Sequence, residues 1–233
     1  MNYLGWEQIW NSENVPQRFG SFAPPDETVA EWANSLAPGG AILDVGCGIG
    51  RHVIYLGGRG FRMAGSDISP SGVRRTSLAC AERQLLFDGQ VCPMTALPWP
   101  EAAFDAVLST STIHHGLRDE IQRGLDEISR VLKPGGAFLV DFPCTDTWDY
   151  QHLRAAVVNG QVVEVEPDTF VDPRSDSEDL DGYLPHHYCD EADLRNFLAH
   201  FEIERLWRKL RPIPTRPGEG LVGKWIARVR KPV

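Results

Sequence analysis

Nine consecutive residues, Ile42-Leu-Asp-Val-Gly-Cys-Gly-Ile-Gly50, constrain the fold of this chain more than any other stretch. The run from Ala41 to Val45 has the length and apolar character of a buried parallel strand. Glycines then occupy positions 46, 48 and 50. Glycine reaches positive φ and lets the backbone approach a ligand closely. Residues 51–56 follow as the first turns of a helix whose N-terminal amides favour an anionic group. Strand, glycine turn and helix in this order form a holder for a small nucleotide-like ligand. The spacing is G-x-G-x-G, whereas a dinucleotide fingerprint reads G-x-G-x-x-G.

The pattern around this unit alternates. Asp26 can cap a helix over 27–36, which stops at Pro38-Gly39-Gly40. Further helices are expected from Arg51 to near Gly57, from Ser69-Pro70 to about Leu85, and over 117–132. Strands are expected over 61–66 leading into Asp67, weakly over 90–92, over Phe104–Ser109, and over 137–142. Such β-α-β-α order requires a mostly parallel sheet with helices on both faces. Ligands then bind outside the carboxyl ends of the strands, where Asp44, Asp67, Ser109, Thr110 and Asp141 fall. Past Asp141 the pattern changes. Residues 157–163 read as a hairpin turning at Asn159-Gly160, and the acidic stretch 164–181 as a solvated loop. Asp190 caps a helix to about Ala199, and 202–208 and Leu221–Arg230 close the chain as strands.

Ile42–Gly50 resembles motif I of the class I S-adenosylmethionine-dependent methyltransferases. Three other segments are similar to that family, in order and register across residues 41–142. They are Met63-Ala-Gly-Ser-Asp-Ile-Ser-Pro70, Ala96-Leu-Pro-Trp-Pro-Glu-Ala-Ala-Phe-Asp-Ala-Val-Leu108 and Arg130-Val-Leu-Lys-Pro-Gly-Gly136. The pattern is that of the small-molecule enzymes of the methyltransferase type 11 kind, such as the ubiquinone-biosynthesis and tellurite-resistance-like ones. The resemblance implies a Rossmann-like, doubly wound α/β fold with a mostly parallel seven-stranded sheet and an inserted cap segment. It implies that Gly46, Cys47, Gly48, Gly50 and Arg51 cradle the amino-acid end of S-adenosylmethionine. Asp44 would help to hold its ammonium, and Asp67 the two ribose hydroxyls. Ser109 and Thr110 complete the expected cofactor set. Where family members often carry an acid for the adenine amino group, this chain has Pro93, which offers neither a carboxylate nor an N–H. Adenine would then rest on Ile68 and on the backbone near Met94 and Thr95. One domain over 1–233 is expected: a helical lid or cover at 1–40, a cofactor core at 41–142, an insertion near the acceptor at 143–189 and closing elements at 190–233.

The product would be S-adenosylhomocysteine, formed by in-line displacement onto a small-molecule acceptor. An acceptor hydroxyl or amine needs a proton acceptor, and the candidates are His114 and His115 after the fourth strand, with His186 and His187 before the last helix. Tyr3, Trp6 and Trp10 fall on one face of an N-terminal helix; Trp6 and Trp10 are read as core packing or as a lid over cofactor and acceptor. Tyr188 belongs with the substrate candidates. No metal is expected, because adjacent histidines give poor ligand spacing on regular structure.

A net charge of −9 argues against nucleic acid as partner. So does Ser109-Thr-Ser-Thr-Ile-His-His115, which lacks the Asn/Asp-Pro-Pro-Tyr-like turn of enzymes that methylate base or glutamine amino groups. Five scattered cysteines read as reduced thiols. With no secretory leader or membrane-spanning stretch in the sequence, a cytoplasmic protein is expected. A nicotinamide-dependent reductase is disfavoured by the glycine spacing and by the lack of a Tyr-x-x-x-Lys pair. A non-catalytic cofactor-binding module stays open as an alternative.

Overall fold

The computed structural model describes residues 3–13, 15, 20–173, 184–213 and 220–233. Strand β1 (Ala41–Val45) pairs in parallel with β2 (Arg62–Asp67) on one side and β4 (Phe104–Ser109) on the other. Beyond these, β3 (Phe87–Val91) joins β2 and β5 (Leu132–Pro143) joins β4, again in parallel. The hairpin of β9 (Glu202–Pro212) and β10 (Leu221–Arg230) closes the sheet through β10, which runs antiparallel to β5. The order is β3-β2-β1-β4-β5-β10-β9. It reverses direction between β1 and β4, which opens a crevice at the carboxyl ends where the glycine turn emerges.

Alternation along each strand splits the core into two layers. Leu43, Val45, Val107, Phe138 and Val140 are packed with residues of α5 (Arg118–Val131) and α7 (Glu191–Phe197). Ile42, Ala106, Leu108 and Leu139 face the opposite layer of α2 (Glu27–Ala33), α3 (Arg51–Gly57) and α4 (Pro70–Glu82). Helix α5 buries Ile121, Leu125 and Ile128 at the spacing of one helical face.

Helix starts follow local chemistry. Asp26 accepts from the Thr28 N–H, and Ser69 accepts from the Gly72 N–H with Pro70 at the first helical position. Asp190 accepts from the Asp193 N–H. Helix α1 (Tyr3–Asn11) lies apart from the sheet, against α4.

Three expectations need correction. The hairpin over 157–163 is instead the end of a helix, α6 (Trp148–Val158), and Gly160 (φ +67°) turns the chain just beyond it. Asn-Gly suits a hairpin turn and a helix C-terminus equally, because both need a left-handed residue. Packing of Leu153, Ala156 and Val157 with Phe170 and Tyr188 selects the helix. The acidic stretch begins as structure: β6 (Val163–Glu166) and β7 (Thr169–Val171) pair with β8 (His186–His187) in a second, three-stranded sheet. Residues 174–181 lie outside the described residues. The third strand runs Phe87–Val91, earlier than 90–92; it is an edge strand whose apolar signal is weak. No helix among the described residues is long and apolar enough to cross a membrane.

Candidate active site

The three motif glycines have φ of +80°, +52° and +89° at positions 46, 48 and 50, conformations that L side chains rarely adopt. Their surroundings are closed as well. A Cβ on Gly46 would lie 2.1 Å from Thr112, and one on Gly50 2.7 Å from Thr76. Hydrogen bonds fix the turn. The N–H groups of Gly46 and Cys47 donate to the Ser66 carbonyl (2.7 and 2.9 Å), and the Thr76 hydroxyl donates to the Gly48 carbonyl (2.9 Å). Thr76 and Thr112 carry no sequence signal, since they reach the turn from α4 and from the segment after β4.

Asp67, at the end of β2, accepts from the N–H groups of Gly48 (2.8 Å) and Ser69 (2.9 Å), one on each carboxylate oxygen. A carboxylate has about four lone-pair positions, so this acid ties the glycine turn to the helix start and retains capacity to accept sugar hydroxyls. Burial raises its pKa to about 6 against these stabilising N–H bonds. Asp44 is pushed further, to about 7, first by burial and then by the Asp67 charge, with Arg51 opposing. Two buried acids whose charges repel each other, opposed by Arg51, favour a cation brought beside them.

The other cofactor candidates stand around these. Ile68 is half-buried beside Asp67, Met94 is in the core cluster with α5, and Thr95 is half-buried next to it in the chain. Ser109 ends β4 fully buried, and its Oγ has no partner among the described residues. Thr110 Oγ1 lies 3.3 Å from His52 Nδ1, while the Asp26 N–H donates to His52 Nε2 (3.3 Å). Burial holds that imidazole neutral, with its pKa lowered to about 3. The Cys47 thiol is driven well above its ordinary value by burial and by the nearby Asp67 and Asp44 charges, so it is no thiolate nucleophile.

Helix α1 crosses the turn. Trp10 lies against Gly48, with its ring 3.0 Å from where a Cβ would stand, and Trp6 stacks on Trp10 at 5.9 Å between centroids. The helix is pinned by Glu7, which accepts from Ser69 Oγ (2.5 Å), Ser71 N–H (3.1 Å) and Ser71 Oγ (2.6 Å). Glu7, absent from the sequence candidates, thus sits at the N-terminus of α4, where a negative charge is favoured.

Beyond Trp6 the histidines gather. The His115 ring meets Trp6 edge-on at 4.8 Å, His114 at 4.2 Å and His186 at 4.2 Å. His186 is brought there by β8, where the His187 N–H donates to the His114 carbonyl (2.9 Å). His187 itself is not in this group. Fully buried, it has Nδ1 2.8 Å from Thr169 Oγ1, and Nε2 2.8 Å from Asp193 and 3.1 Å from Arg118. Both ring nitrogens are engaged, which gives it a supporting place behind the site. Tyr188 likewise packs among Phe170, Tyr150 and Ala156, in the cap's own small core. Against the expectation of no metal ligation, the fold brings ligand atoms of the poorly spaced pair His114 and His115 and of His186 within 4.8 Å of one another.

A family model described as a methyltransferase domain matches residues 43–140. The chain is 35% identical over 157 residues to a mouse (Mus musculus) tRNA (carboxymethyluridine(34)-5-O)-methyltransferase, covering 66% of this chain and 22% of that protein. It is 31% identical over 115 residues to an uncharacterized methyltransferase of Synechocystis, covering 49% of this chain and 52% of the relative. The chain thus spans about a fifth and about half of these two relatives. Among solved structures, a SAM-dependent methyltransferase from Methanosarcina mazei superposes with a TM-score of 0.72 at 20% identity, covering 90% of this chain and 99% of the other.

Proposed function

We propose, from the methyltransferase-domain match over residues 43–140 and the site described above, that the chain is a class I S-adenosylmethionine-dependent methyltransferase that transfers a methyl group to a small-molecule acceptor. The observation that carries this reading is the glycine turn locked to the Asp67 carboxylate, with Asp44 buried beneath it. S-adenosylmethionine brings an electrophilic methyl on a sulfonium, and its displacement leaves S-adenosylhomocysteine. The chain's own contribution is placement. Gly46, Cys47, Gly48, Gly50 and Arg51 frame the methionine end, with Asp44 facing its ammonium. Asp67 accepts from the ribose, while Ile68 and the backbone of Met94 and Thr95 border the adenine. Ser109 offers its unpaired hydroxyl and Thr110 the adjoining backbone. Trp6 and Trp10 close the crevice, which excludes water and holds the reacting atoms in line.

The acceptor side is bounded by Trp6, His114, His115 and His186. His115 is held far below its ordinary pKa, by burial first and then by its histidine neighbours and Lys224. It remains neutral and accepts a hydrogen bond, but stores a proton poorly near neutral pH. His187 and Tyr188 support this wall from behind.

Charge pairing favours a small acceptor. Arg208 pairs with Asp146, Lys209 with Asp26 and Glu27, Lys224 with Asp141, Arg228 with Glu31, and Arg230 with Glu204. Five cations of β9 and β10 are thereby matched by acids of the chain itself, whereas a phosphate backbone needs unmatched cations. A second reading, methylation of RNA, is favoured by the likeness to the mouse tRNA enzyme. Incubation with tritiated S-adenosylmethionine and a fractionated cell extract separates them. Label in the low-molecular-weight organic fraction is expected. Label confined to RNA selects the second reading, and cofactor binding without label in any fraction leaves a non-catalytic module.

A further inference from the structure

Ligand atoms of three imidazoles, His114, His115 and His186, lie within 4.8 Å of one another beside Trp6. His114 and His115 leave β4 on a turn tightened by the His115 N–H donating to the Thr112 carbonyl (2.9 Å). His186 arrives from β8, held by the backbone bond to His114 already described. The group is therefore fixed by main-chain hydrogen bonds rather than by side-chain chance. His186 Nδ1 lies 2.9 Å from the Leu184 carbonyl. A carbonyl only accepts, so the proton of this contact sits on Nδ1. This carbonyl-anchored tautomer is the one that metal-binding histidines commonly show. His115 is 6% exposed, and its Nδ1 has no partner among the described residues. A buried ring nitrogen without a partner calls for an explanation, and an ion is one of the few available.

We propose that His114, His115 and His186 bind one divalent first-row transition-metal ion, with Zn²⁺ as its probe. Three imidazole donors, without carboxylate or thiolate, suit zinc, copper or nickel rather than magnesium or calcium. The other compact group, His187, Cys189 and Asp193, is already committed. His187 is already bonded through both nitrogens and the Cys189 thiol is held protonated by burial. Three protein ligands leave a further coordination position open, as in catalytic rather than structural zinc sites. Trp6 lies edge-on to one ligand, so a paramagnetic ion would quench its fluorescence. The site does not depend on methyl transfer.

The test titrates the full metal-stripped chain with Zn²⁺ by calorimetry and with Co²⁺ by visible absorption and tryptophan quenching. One equivalent of Zn²⁺ and a Co²⁺ spectrum of nitrogen ligation are expected. His115→Ala and His186→Ala should each weaken binding beyond the roughly 10–100-fold typical of losing a supporting partner. His200→Gln, at an exposed histidine, should leave it unchanged. Thermal stabilisation by S-adenosylhomocysteine reports on whether the variants remain folded and whether the cofactor site is sound, separately from the metal. Should a variant not fold, the Co²⁺ spectrum of the unaltered chain decides alone. Absence of stoichiometric binding, or binding unchanged in the His115→Ala/His186→Ala pair, overturns the proposal.

Discussion

Asp44 and Asp67 retain protons to about pH 7 and about pH 6, because burial penalises their charged forms. Unfolding returns them to ordinary carboxylate values, so between about pH 4 and 7 the native state binds more protons than the unfolded one. These two groups therefore make the ligand-free protein less stable as pH rises through that window. A bound ammonium favours the ionised form. Affinity for S-adenosylhomocysteine should accordingly rise from pH 5.5 to 7.5, by at most about tenfold per pH unit per group. Proton release should be visible as buffer-dependent heat in calorimetry. Asp44→Asn should flatten the profile; a flat profile in the unaltered chain would contradict the assignment. At Gly46 the backbone decides. With φ +80° and Thr112 2.1 Å from any added Cβ, Gly46→Ala should cost about 3 kcal/mol. The denaturation midpoint should fall with its slope unchanged.

Helix α1 is held at both ends of its contact with α4. Glu7 accepts from Ser69 and Ser71, while Arg75 Nη1 donates to the carbonyls of Trp10 (2.9 Å) and Ser12 (3.0 Å). This tether aims Trp10 at Gly48 and Trp6 at His115. Trp10→Ala should cost about 3 kcal/mol of stability, lower turnover per folded molecule at least tenfold, and speed release of S-adenosylhomocysteine. Stability loss with turnover intact would reduce α1 to packing. Between α5 and α7 the Arg118–Asp193–His187 chain is a second tie. Its bonds from His187 and Arg118 outweigh burial and hold Asp193 well below its usual range. The stabilisation from a lowered carboxylate is complete above the unfolded value and disappears as pH falls through the folded one. Asp193→Asn should therefore lose about 2 kcal/mol at pH 7, less than a fully buried pair because Arg118 is partly solvated. Denaturation curves of variant and parent should converge in acid.

For the molecule as a whole, the two-layer core and the crevice at the strand-order reversal make ligand binding and folding one equilibrium. S-adenosylhomocysteine at a hundred times its Kd should add about 2.7 kcal/mol, a rise of roughly 5–10 °C in Tm for a chain of this size. NADH should give none; the reverse result would exclude the methyltransferase reading. Net charge of −9 and the internally paired cations of β9 and β10 lead to a further expectation. Any association with RNA should be weak and vanish between about 50 and 200 mM salt.

The sequence by itself determined the periodic elements and the ends of the central strands. Hydrophobic alternation, caps such as Asp26, Ser69 and Asp190, and the run of three glycines are local signals, read without knowing what lies opposite. They placed Asp44, Asp67 and Ser109 at one edge of the sheet, because strand length fixes where a strand must stop. Asn159-Gly160 shows the limit of that reading: the same left-handed residue serves a hairpin or a helix end, and only packing on Phe170 chose. Tertiary structure alone closed Thr76 and Thr112 around the glycines, turned Trp6 onto His115, and carried His186 to a pair far away in the chain. Those contacts are made by strand pairing and helix docking between distant segments, and no local pattern encodes which segments will meet.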